Sequence, residues 1–200
     1  MSDKTHEYYE QEAKAFFEAT VNLDPTPFLS PLGEALAPGA RVLDIGCGSG
    51  RDLLWLKNNG FVPHGLEPSP ALSSLAEKHS GCPVTIGDIT TTTLLAQSWD
   101  GILISGVLVH VPHTSIPDIL SRVTGALTAG GRLYVSVKEG HGSATDNDNR
   151  RFYYWEDQAF RTVAKTAGLH LLSMTRSASA RGNSDVWLGY VFERLPGSSG

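Results

Sequence analysis

The chain has 200 residues, of which 40% are hydrophobic and 18% are charged. This composition fits a globular protein and excludes an intrinsically disordered one, and the length suits a single domain, which we place at residues 1–195. The net charge of −5 and the pI near 5.8 argue against a nucleic-acid-binding protein, which needs a basic face.

Cysteine spacing and hydropathy indicate the cellular setting. Cys47 and Cys82 lie outside any Cys-x-x-Cys or zinc-like spacing, which favours a reduced environment. The first residues are polar, unlike a signal peptide, and no apolar run reaches the roughly 18 residues of a membrane span. We therefore expect a cytoplasmic protein without membrane contact, and we interpret residues 196–200 as a flexible tail.

Hydrophobic periodicity predicts the elements in chain order. Helices over residues 4–20 and 28–37 form an N-terminal helical cap at 1–37, followed by a core at 40–195. The predicted strands of that core are 41–45, 61–66, 83–86, 101–105, 132–137, 169–174 and 185–192. Its predicted helices are 51–59, 69–79, 116–127 and 160–167.

This alternation predicts an α/β fold, in which a Rossmann-like sheet of seven mostly parallel strands carries helices on both faces. The segment between the last two strands, residues 177–184, is too short and polar for a helix. The sequence therefore predicts an antiparallel hairpin at the C-terminal end of the sheet.

A glycine-rich loop joins the first strand to the helix that follows it. The segment 42–50 reads VLDIGCGSG and places glycine at positions 46, 48 and 50. Glycine permits positive φ and close approach of a ligand, and a helix N-terminus attracts carboxylate or phosphate groups. Taken alone, such a loop also fits a nicotinamide-binding Rossmann protein.

Three acidic positions distinguish the loop from a dinucleotide site. Asp44 lies inside the turn, where a carboxylate would oppose a pyrophosphate but would suit a cationic amine or sulfonium. Glu67 ends the second strand and can accept hydrogen bonds from both ribose hydroxyls. Asp88 ends the third strand, where it can accept from an adenine amino group while Ile89 packs on the ring.

With these residues, the chain resembles class I S-adenosylmethionine (SAM)-dependent methyltransferases, and among them the small bacterial branch of tellurite-resistance-like and methyltransferase-domain proteins. The resemblance covers residues 41–138 most strongly, and it implies SAM as cofactor and S-adenosylhomocysteine as product. It also implies a cofactor site formed by Tyr9, Asp44, Gly46, Cys47, Gly48, Arg51, Glu67, Pro68, Asp88, Ile89, Ser105 and Gly106.

Several of these positions have a purely structural alternative. Tyr9 could pack in the core, Arg51 could form a surface ion pair, and Asp88 could bond the backbone of its own turn. Transfer of a methyl group from a sulfonium depends mainly on alignment and exclusion of water, so a general base is optional. His110 is the candidate base, with a structural role as its alternative; it lacks a third ligand for a metal site beside His113.

The segment after the fourth strand, Ser105-Gly106-Val107-Leu108, lacks the Asn/Asp-Pro-Pro-aromatic motif of enzymes that methylate exocyclic or amide nitrogens. We expect a small-molecule acceptor with an oxygen, nitrogen or sulfur nucleophile, no nucleic-acid partner, and a monomer or weak homodimer. The alternatives are a SAM-binding sensor without catalysis and a nicotinamide-dependent oxidoreductase. Residues 8–17 of the N-terminal helix, 110–113 and 139–155 are the segments in which we expect the acceptor to be recognised.

Overall fold

The computed structural model describes residues 3–179 and 184–195, and the expected tail at 196–200 lies outside the described residues. The helices are α1 (Asp3–Gln11), α2 (Ala13–Thr20), α3 (Thr26–Ala35), α4 (Arg51–Asn58), α5 (Pro70–Ser80), α6 (Ile116–Ala126) and α7 (Asp157–Thr166). The strands are β1 (Arg41–Ile45), β2 (Val62–Glu67), β3 (Val84–Ile86), β4 (Trp99–Ile104), β5 (Leu127–Glu139), β6 (Ser143–Thr145), β7 (Arg151–Trp155), β8 (Leu169–Ala178) and β9 (Val186–Arg194).

The predicted α/β fold class is confirmed. Strands β3, β2, β1, β4 and β5 are parallel neighbours in that order. Strand β9 pairs antiparallel with β5, and β8 pairs antiparallel with β9, which confirms the C-terminal hairpin. Because all the parallel strands run the same way, their carboxyl ends meet at one edge, where the turns after β1, β2, β3 and β4 lie together.

Helices cover both faces of the sheet. On one face, α6 and α7 pack on a core that includes Leu120, Val123 and Phe160, all fully buried. On the other face, Leu29 and Leu32 of α3 pack with residues of β1, β4, β5 and β9. None of the helices in the described ranges is long and apolar enough to cross a membrane.

Three predicted elements differ from the structure. The helix predicted over residues 4–20 is divided at Glu12, whose φ of −96° and ψ of 16° depart from helical values. Strand β5 begins at Leu127 rather than 132, because an irregularity in its pairing with β4 absorbs the two glycines at 130 and 131. The described residues form nine strands rather than seven, since the β6–β7 hairpin joins the sheet where β7 pairs with the end of β5.

Local signals for the start and end of helices are confirmed at α5. The hydroxyl of Ser69 accepts a hydrogen bond from the backbone N–H of Leu72 at 3.0 Å, and Pro70 occupies the first turn. Gly81 ends the helix with φ of 61°, a conformation that glycine adopts without steric cost. This helix begins directly after the acidic end of β2, so its N-terminus lies beside the candidate site.

Candidate active site

The loop after β1 depends on its glycines. Gly46 has φ of 70°, and a Cβ added there would lie 2.4 Å from the side chain of Val107. Gly50 has φ of 75°, and its Cβ would lie 2.7 Å from the backbone oxygen of Ala76 in α5. Gly48 has φ of 54°, and the ring of Phe16 would lie 3.1 Å from its Cβ. The loop is therefore held in a left-handed conformation between two other parts of the chain.

Asp44 is a buried carboxylate at the end of β1. It is 1% exposed, and its Oδ2 has no hydrogen-bond partner within the described chain. Burial raises the pKa of Asp44 well above its ordinary value, and the charges of Asp52 and Glu67 raise it further, while Arg51 opposes them. An ionised Asp44 is thus destabilised until a cation or hydrogen-bond donor reaches it.

Glu67 is held by backbone amides at the end of β2. Its Oε2 accepts a hydrogen bond from the N–H of Gly48, and its Oε1 accepts one from the N–H of Ser69, both at 3.0 Å. Burial raises the pKa of Glu67, although these two N–H groups lower it. Since each carboxylate oxygen has two acceptor sites, Glu67 can still accept from hydroxyl groups while the loop amides orient it.

Asp88 accepts hydrogen bonds within its own turn, which was the structural alternative to a contact with adenine. Its Oδ1 accepts from the N–H and the hydroxyl of Thr90 at 2.6 and 2.7 Å. Its Oδ2 lies 2.6 Å from Nε2 of His6 in α1. Burial raises the pKa of Asp88, but the bonds from Thr90 prevail and lower it. The expected adenine contact of this carboxylate stays a prediction.

Three further predicted residues lie in largely buried surroundings. Arg51 donates to both oxygens of Asp52 at 2.7 and 3.1 Å, so it forms the ion pair that was its alternative. Cys47 is buried, and burial raises the pKa of its thiol, so it is not a thiolate at neutral pH. Ile89 is 3% exposed and belongs to the main hydrophobic core. Its expected stacking on adenine stays a prediction.

Helix α1 lies across the turns that follow β2 and β3. Glu10 accepts hydrogen bonds from the hydroxyl of Ser69 at 2.5 Å and from the N–H of Ala71 at 3.2 Å. A cavity of about 270 Å³ separates α1 from Pro68, and Tyr9 also lines it. These contacts place the N-terminal helix over the loop region, where it shields Asp88 and the N-terminus of α5 from solvent.

His110 joins three separate segments of the chain. The carbonyl oxygen of Arg151 can only accept, so Nδ1 of His110 carries the proton and donates to it at 2.9 Å. Nε2 is therefore an acceptor, and the hydroxyl of Tyr9 donates to it at 3.0 Å. Burial lowers the pKa of His110 to about 4, and the nearby charges of Arg150 and Lys138 lower it further. At neutral pH, His110 is uncharged and can receive a proton only through Tyr9.

A larger cavity of about 450 Å³ opens beside these residues. Arg51, Ser105 and Gly106 line it together with Tyr9 and His110, so it brings five predicted site residues together. The N–H of Gly106 donates to the hydroxyl of Ser136 at 3.0 Å, which fixes the turn after β4 against β5. The cavity therefore lies at the carboxyl edge of the sheet, next to the glycine loop.

Sequence reasoning missed much of the wall of this cavity. Phe16, Asp146, Arg150 and Phe152 lie in segments where acceptor recognition was expected. The lining side chains that sequence reasoning did not identify include Phe28, Tyr134, Ser136, Lys138, Asp185 and Trp187. The aromatic run at 152–155 lies in the segment where acceptor recognition was expected, and it was the local signal for this part of the wall. In the described ranges, no group of three His, Cys, Asp or Glu side chains is placed to hold a metal ion.

The sheet order, the left-handed glycine loop and the carboxylates at the ends of β1 and β2 define a Rossmann-like protein with a site for a cofactor that carries a cation. A family profile described as a methyltransferase domain matches residues 16–174. The chain belongs to this family and is a class I SAM-dependent methyltransferase. A nicotinamide-dependent oxidoreductase is thereby excluded as its class.

The ubiquinone biosynthesis O-methyltransferase of Xylella fastidiosa is a curated relative, 35% identical over 105 residues. That match covers 50% of this chain and 42% of the relative, so it spans less than half of the relative's length. Among solved structures, the 1,6-didemethyltoxoflavin-N1-methyltransferase of Burkholderia thailandensis, with its substrate and S-adenosylhomocysteine bound, has a TM-score of 0.75 at 18% identity, covering 95% of this chain and 85% of that one.

A TehB-like SAM-dependent methyltransferase from Corynebacterium glutamicum has a TM-score of 0.68 at 21% identity and covers 96% of this chain and 100% of that one. At these identities the solved structures establish the fold alone. The tellurite-resistance-like branch therefore stays a prediction.

Proposed function

We propose that this protein transfers a methyl group from SAM to a small molecule bound in the 450 Å³ cavity. The observation that carries the proposal is Asp44, a buried carboxylate with one oxygen left without a partner under a glycine loop. A site of this kind fits the ammonium group of a methionine-like ligand, because a cation would remove the electrostatic cost of ionising Asp44.

The residues proposed to hold SAM fit its chemistry in turn. Asp44 would face the ammonium group, and Glu67 would accept from the ribose hydroxyls while the N–H of Gly48 holds it. The N–H groups of Gly46 and Cys47 bond the carbonyl oxygen of Leu66, so the glycines of the loop give a ligand room rather than donors. The remaining residues proposed for the cofactor site are Tyr9, Cys47, Arg51, Pro68, Asp88, Ile89, Ser105 and Gly106. The wall of the site would thus supply negative charge where the ligand is cationic.

Bound SAM would supply a methyl group already activated by the positive charge on its sulfur. The work of this chain is then to hold the acceptor in line with that methyl group and to exclude water. The aromatic wall of the cavity, including Phe16, Phe152 and Trp187, can do both for a planar acceptor. Tyr9 and His110 form one hydrogen-bonded unit. An acceptor that arrives protonated would need this unit to take its proton, with the Tyr9 proton moving to Nε2 of His110, whereas an ionised acceptor needs no such transfer.

A small acceptor is supported by the size of the cavity, because Tyr9, Arg51, Ser105 and Gly106 of the proposed cofactor site also line it and leave room only for a small molecule beside SAM. The printed names of the Xylella relative and the Burkholderia enzyme also refer to small molecules. An extended acceptor such as a nucleic acid would need a basic face, and the chain carries a net charge of −5. The cytoplasmic setting, the oligomeric state and the single domain at 1–195 stay predictions.

Calorimetry followed by a product-release assay tests the proposal. We expect SAM and S-adenosylhomocysteine to bind at micromolar concentrations and NAD not to bind. The Glu67→Ala variant should bind both ligands at least about tenfold more weakly, because it loses hydrogen bonds to a charged group. A panel of small phenols, amines and thiols should then include one that releases S-adenosylhomocysteine.

Two results would contradict the proposal in different ways. Tight binding of NAD in place of SAM would overturn the assignment of the cofactor site. SAM binding with no product release across a broad panel would favour the sensor without catalysis. Unchanged affinity in Glu67→Ala would show that this carboxylate holds the loop and not the ligand.

A further inference from the structure

Lys138 is unusual among the side chains that line the cavity, because it is a lysine only 8% exposed. It lies near the end of β5, between β7 and β9. Its Nζ lies 2.7 Å from Oδ2 of Asp185. It also lies 3.7 Å above the ring centre of Phe152 and 5.6 Å from that of Trp187. Buried lysines are rare and normally paired, so this position needs an explanation beyond packing.

The ion pair with Asp185 explains only part of the arrangement. Lys138 of β5 pairs in register with Trp187 of β9, so Asp185 lies diagonally across the same face and can anchor the end of β9. An ammonium group has three N–H donors, however, and Asp185 and the face of Phe152 account for two. Lys138 also lines the cavity, so a third donor is available to a ligand there.

The cavity is unsuited to a cationic acceptor. Three aromatic faces of its wall already have a cation near them: Lys138 lies over Phe152 and near Trp187, and the guanidinium of Arg51 lies 5.2 Å from the ring centre of Phe28. The carboxylates of Asp146 and Asp185 are engaged by Arg150 and Lys138. A second cation near these three faces would therefore meet a like charge.

The cavity is also poorly equipped to deprotonate an acceptor. The only imidazole that lines it within the described residues is His110, whose Nε2 is already bonded to Tyr9. Arg150 and Lys138 both oppose a positive charge on that ring. An acceptor that arrives as an anion needs no base, and the same two cations would stabilise it.

We propose that the acceptor is a planar aromatic molecule with an ionised oxygen, a phenolate or carboxylate, which binds through that oxygen to the ammonium group of Lys138. This inference rests on the proposed function and specifies its substrate class. The acceptor oxyanion supplies the electron pair for the new O–CH₃ bond, the electrons of the breaking C–S bond stay on sulfur, and no proton is released. An anion and a cation become two neutral groups, a change that a water-poor cavity favours.

Three probes of one shape and different charge test the inference: benzoate, benzamide and benzylamine, titrated by NMR into protein saturated with S-adenosylhomocysteine. We expect benzoate to bind the wild-type complex about tenfold or more tightly than benzamide, the scale of one hydrogen bond to a charged group. Benzylamine should bind most weakly. In Lys138→Met the benzoate preference should fall to near one, while Lys165→Met, which removes an exposed lysine of α7, should leave it unchanged.

The Asp185→Asn variant gives an independent test, because it should change the affinity for benzoate in the opposite direction to Lys138→Met. Removal of the competing carboxylate should strengthen benzoate binding several-fold and should leave benzamide binding unchanged. The inference is overturned if benzamide or benzylamine equals benzoate in the wild type, or if Lys138→Met keeps the preference. If Lys138→Met does not fold, an Asp185→Asn variant with unchanged or weaker benzoate binding overturns it instead.

The binding of S-adenosylhomocysteine separates this inference from the proposed function. A wild-type protein that does not bind it contradicts the proposed function, and the three probes are then compared on the free protein. A protein that binds it but shows no preference for benzoate contradicts only the identity of the acceptor.

Discussion

At the scale of single residues, Asp44 illustrates how a group proposed to bind the cofactor can lower the stability of the free protein. A carboxylate 1% exposed with an unpartnered oxygen costs folding free energy whenever it is ionised. Burial raises its pKa well above the ordinary 3.8. The native state therefore retains a proton that the unfolded chain releases, so the free energy of unfolding falls as the pH rises above about 4.

We predict that Asp44→Asn stabilises the free protein at neutral pH and weakens its binding of SAM. The amide removes the cost of the buried charge, which should raise the free energy of unfolding by about 1 kcal/mol or more, as a shift of one pKa unit already corresponds to that amount. Affinity for SAM should fall at least about tenfold, since the cation loses its counter-charge. Urea unfolding at pH 5 and pH 8, with calorimetry, measures both effects.

Glu77→Gln is the matched control, because it removes one carboxylate from the exposed face of α5. Surface changes of this kind usually alter stability by less than about 0.5 kcal/mol. A loss of stability in Asp44→Asn at pH 8 would show that Asp44 is ionised and well paired in the free protein.

At the scale of elements, the glycine at the start of α4 sets the distance between two helices. Gly50 has φ of 75°, and its added Cβ would lie 2.7 and 2.8 Å from backbone atoms of Ala76 in α5. Gly60, which follows the end of α4, has φ of 83° with nothing within 4 Å of its added Cβ. Both positions have a positive φ, but only a side chain at Gly50 would collide with α5. Substitutions at the two positions therefore separate the cost of backbone strain from the cost of the collision.

We predict that Gly60→Ala lowers the free energy of unfolding by about 1 kcal/mol, the cost of a left-handed alanine. Gly50→Ala should lower the free energy of unfolding by roughly 1–3 kcal/mol more than Gly60→Ala does, because the backbone of α5 must also move. Because α5 begins beside Glu67, Gly50→Ala should also weaken SAM binding. Chemical denaturation and calorimetry of both variants decide this; equal losses would mean that α5 moves away freely.

The sequence predicted the elements that depend on neighbouring residues of the chain. It did not predict the elements that depend on contacts between residues far apart in the chain. The end of β1, the end of β2 and Ser69 were predictable, because strand, turn and cap signals are local in the chain. The β6–β7 hairpin was not, since β7 pairs with β5 over only two residues and owes its place to contacts with distant aromatic side chains. The division of the first helix at Glu12 also lacks a proline or glycine that would have indicated it.

The same distinction holds for the candidate site. The sequence could place Asp44, Glu67 and the glycines together, because the proposed cofactor end is formed by consecutive turns of a parallel sheet. Lys138, Arg150 and the aromatic wall come from β5, β7 and β9 and meet only through antiparallel and hairpin pairings. A single sequence gives the register of none of these pairings, so the acceptor end could not be assembled from it.

At the scale of the whole molecule, His110 connects parts of the chain that the sheet alone does not hold together. Its ring bonds the Tyr9 hydroxyl of α1 on one side and the Arg151 carbonyl of β7 on the other. It also packs 4.6 Å from the ring centre of Phe152. The N-terminal helix, the turn after β4 and the β6–β7 hairpin therefore share one neutral imidazole, and its protonation would force the bond with Tyr9 to reverse its direction.

We predict that this imidazole limits the acid stability of the protein. Burial lowers the pKa of His110 from 6.5 to about 4, so below pH 6.5 the unfolded chain takes up a proton that the native state refuses. The contribution of His110 is complete above pH 6.5 and is lost between pH 6.5 and 4, in total on the order of 3 kcal/mol. His110→Asn should therefore be less stable at pH 8 and should lose less stability on acidification, as measured by urea unfolding across that range.

His64 provides the graded comparison, since it is only partly buried and burial lowers its pKa as well, though less than that of His110. His64→Asn should flatten the acid dependence less than His110→Asn does. Hydrogen exchange at pH 5 should further show residues 3–20 and 143–155 opening together in the wild type, because both segments depend on the same ring. An unchanged pH slope in His110→Asn, or independent opening of the two segments, would mean that the sheet and not His110 holds the active-site walls together.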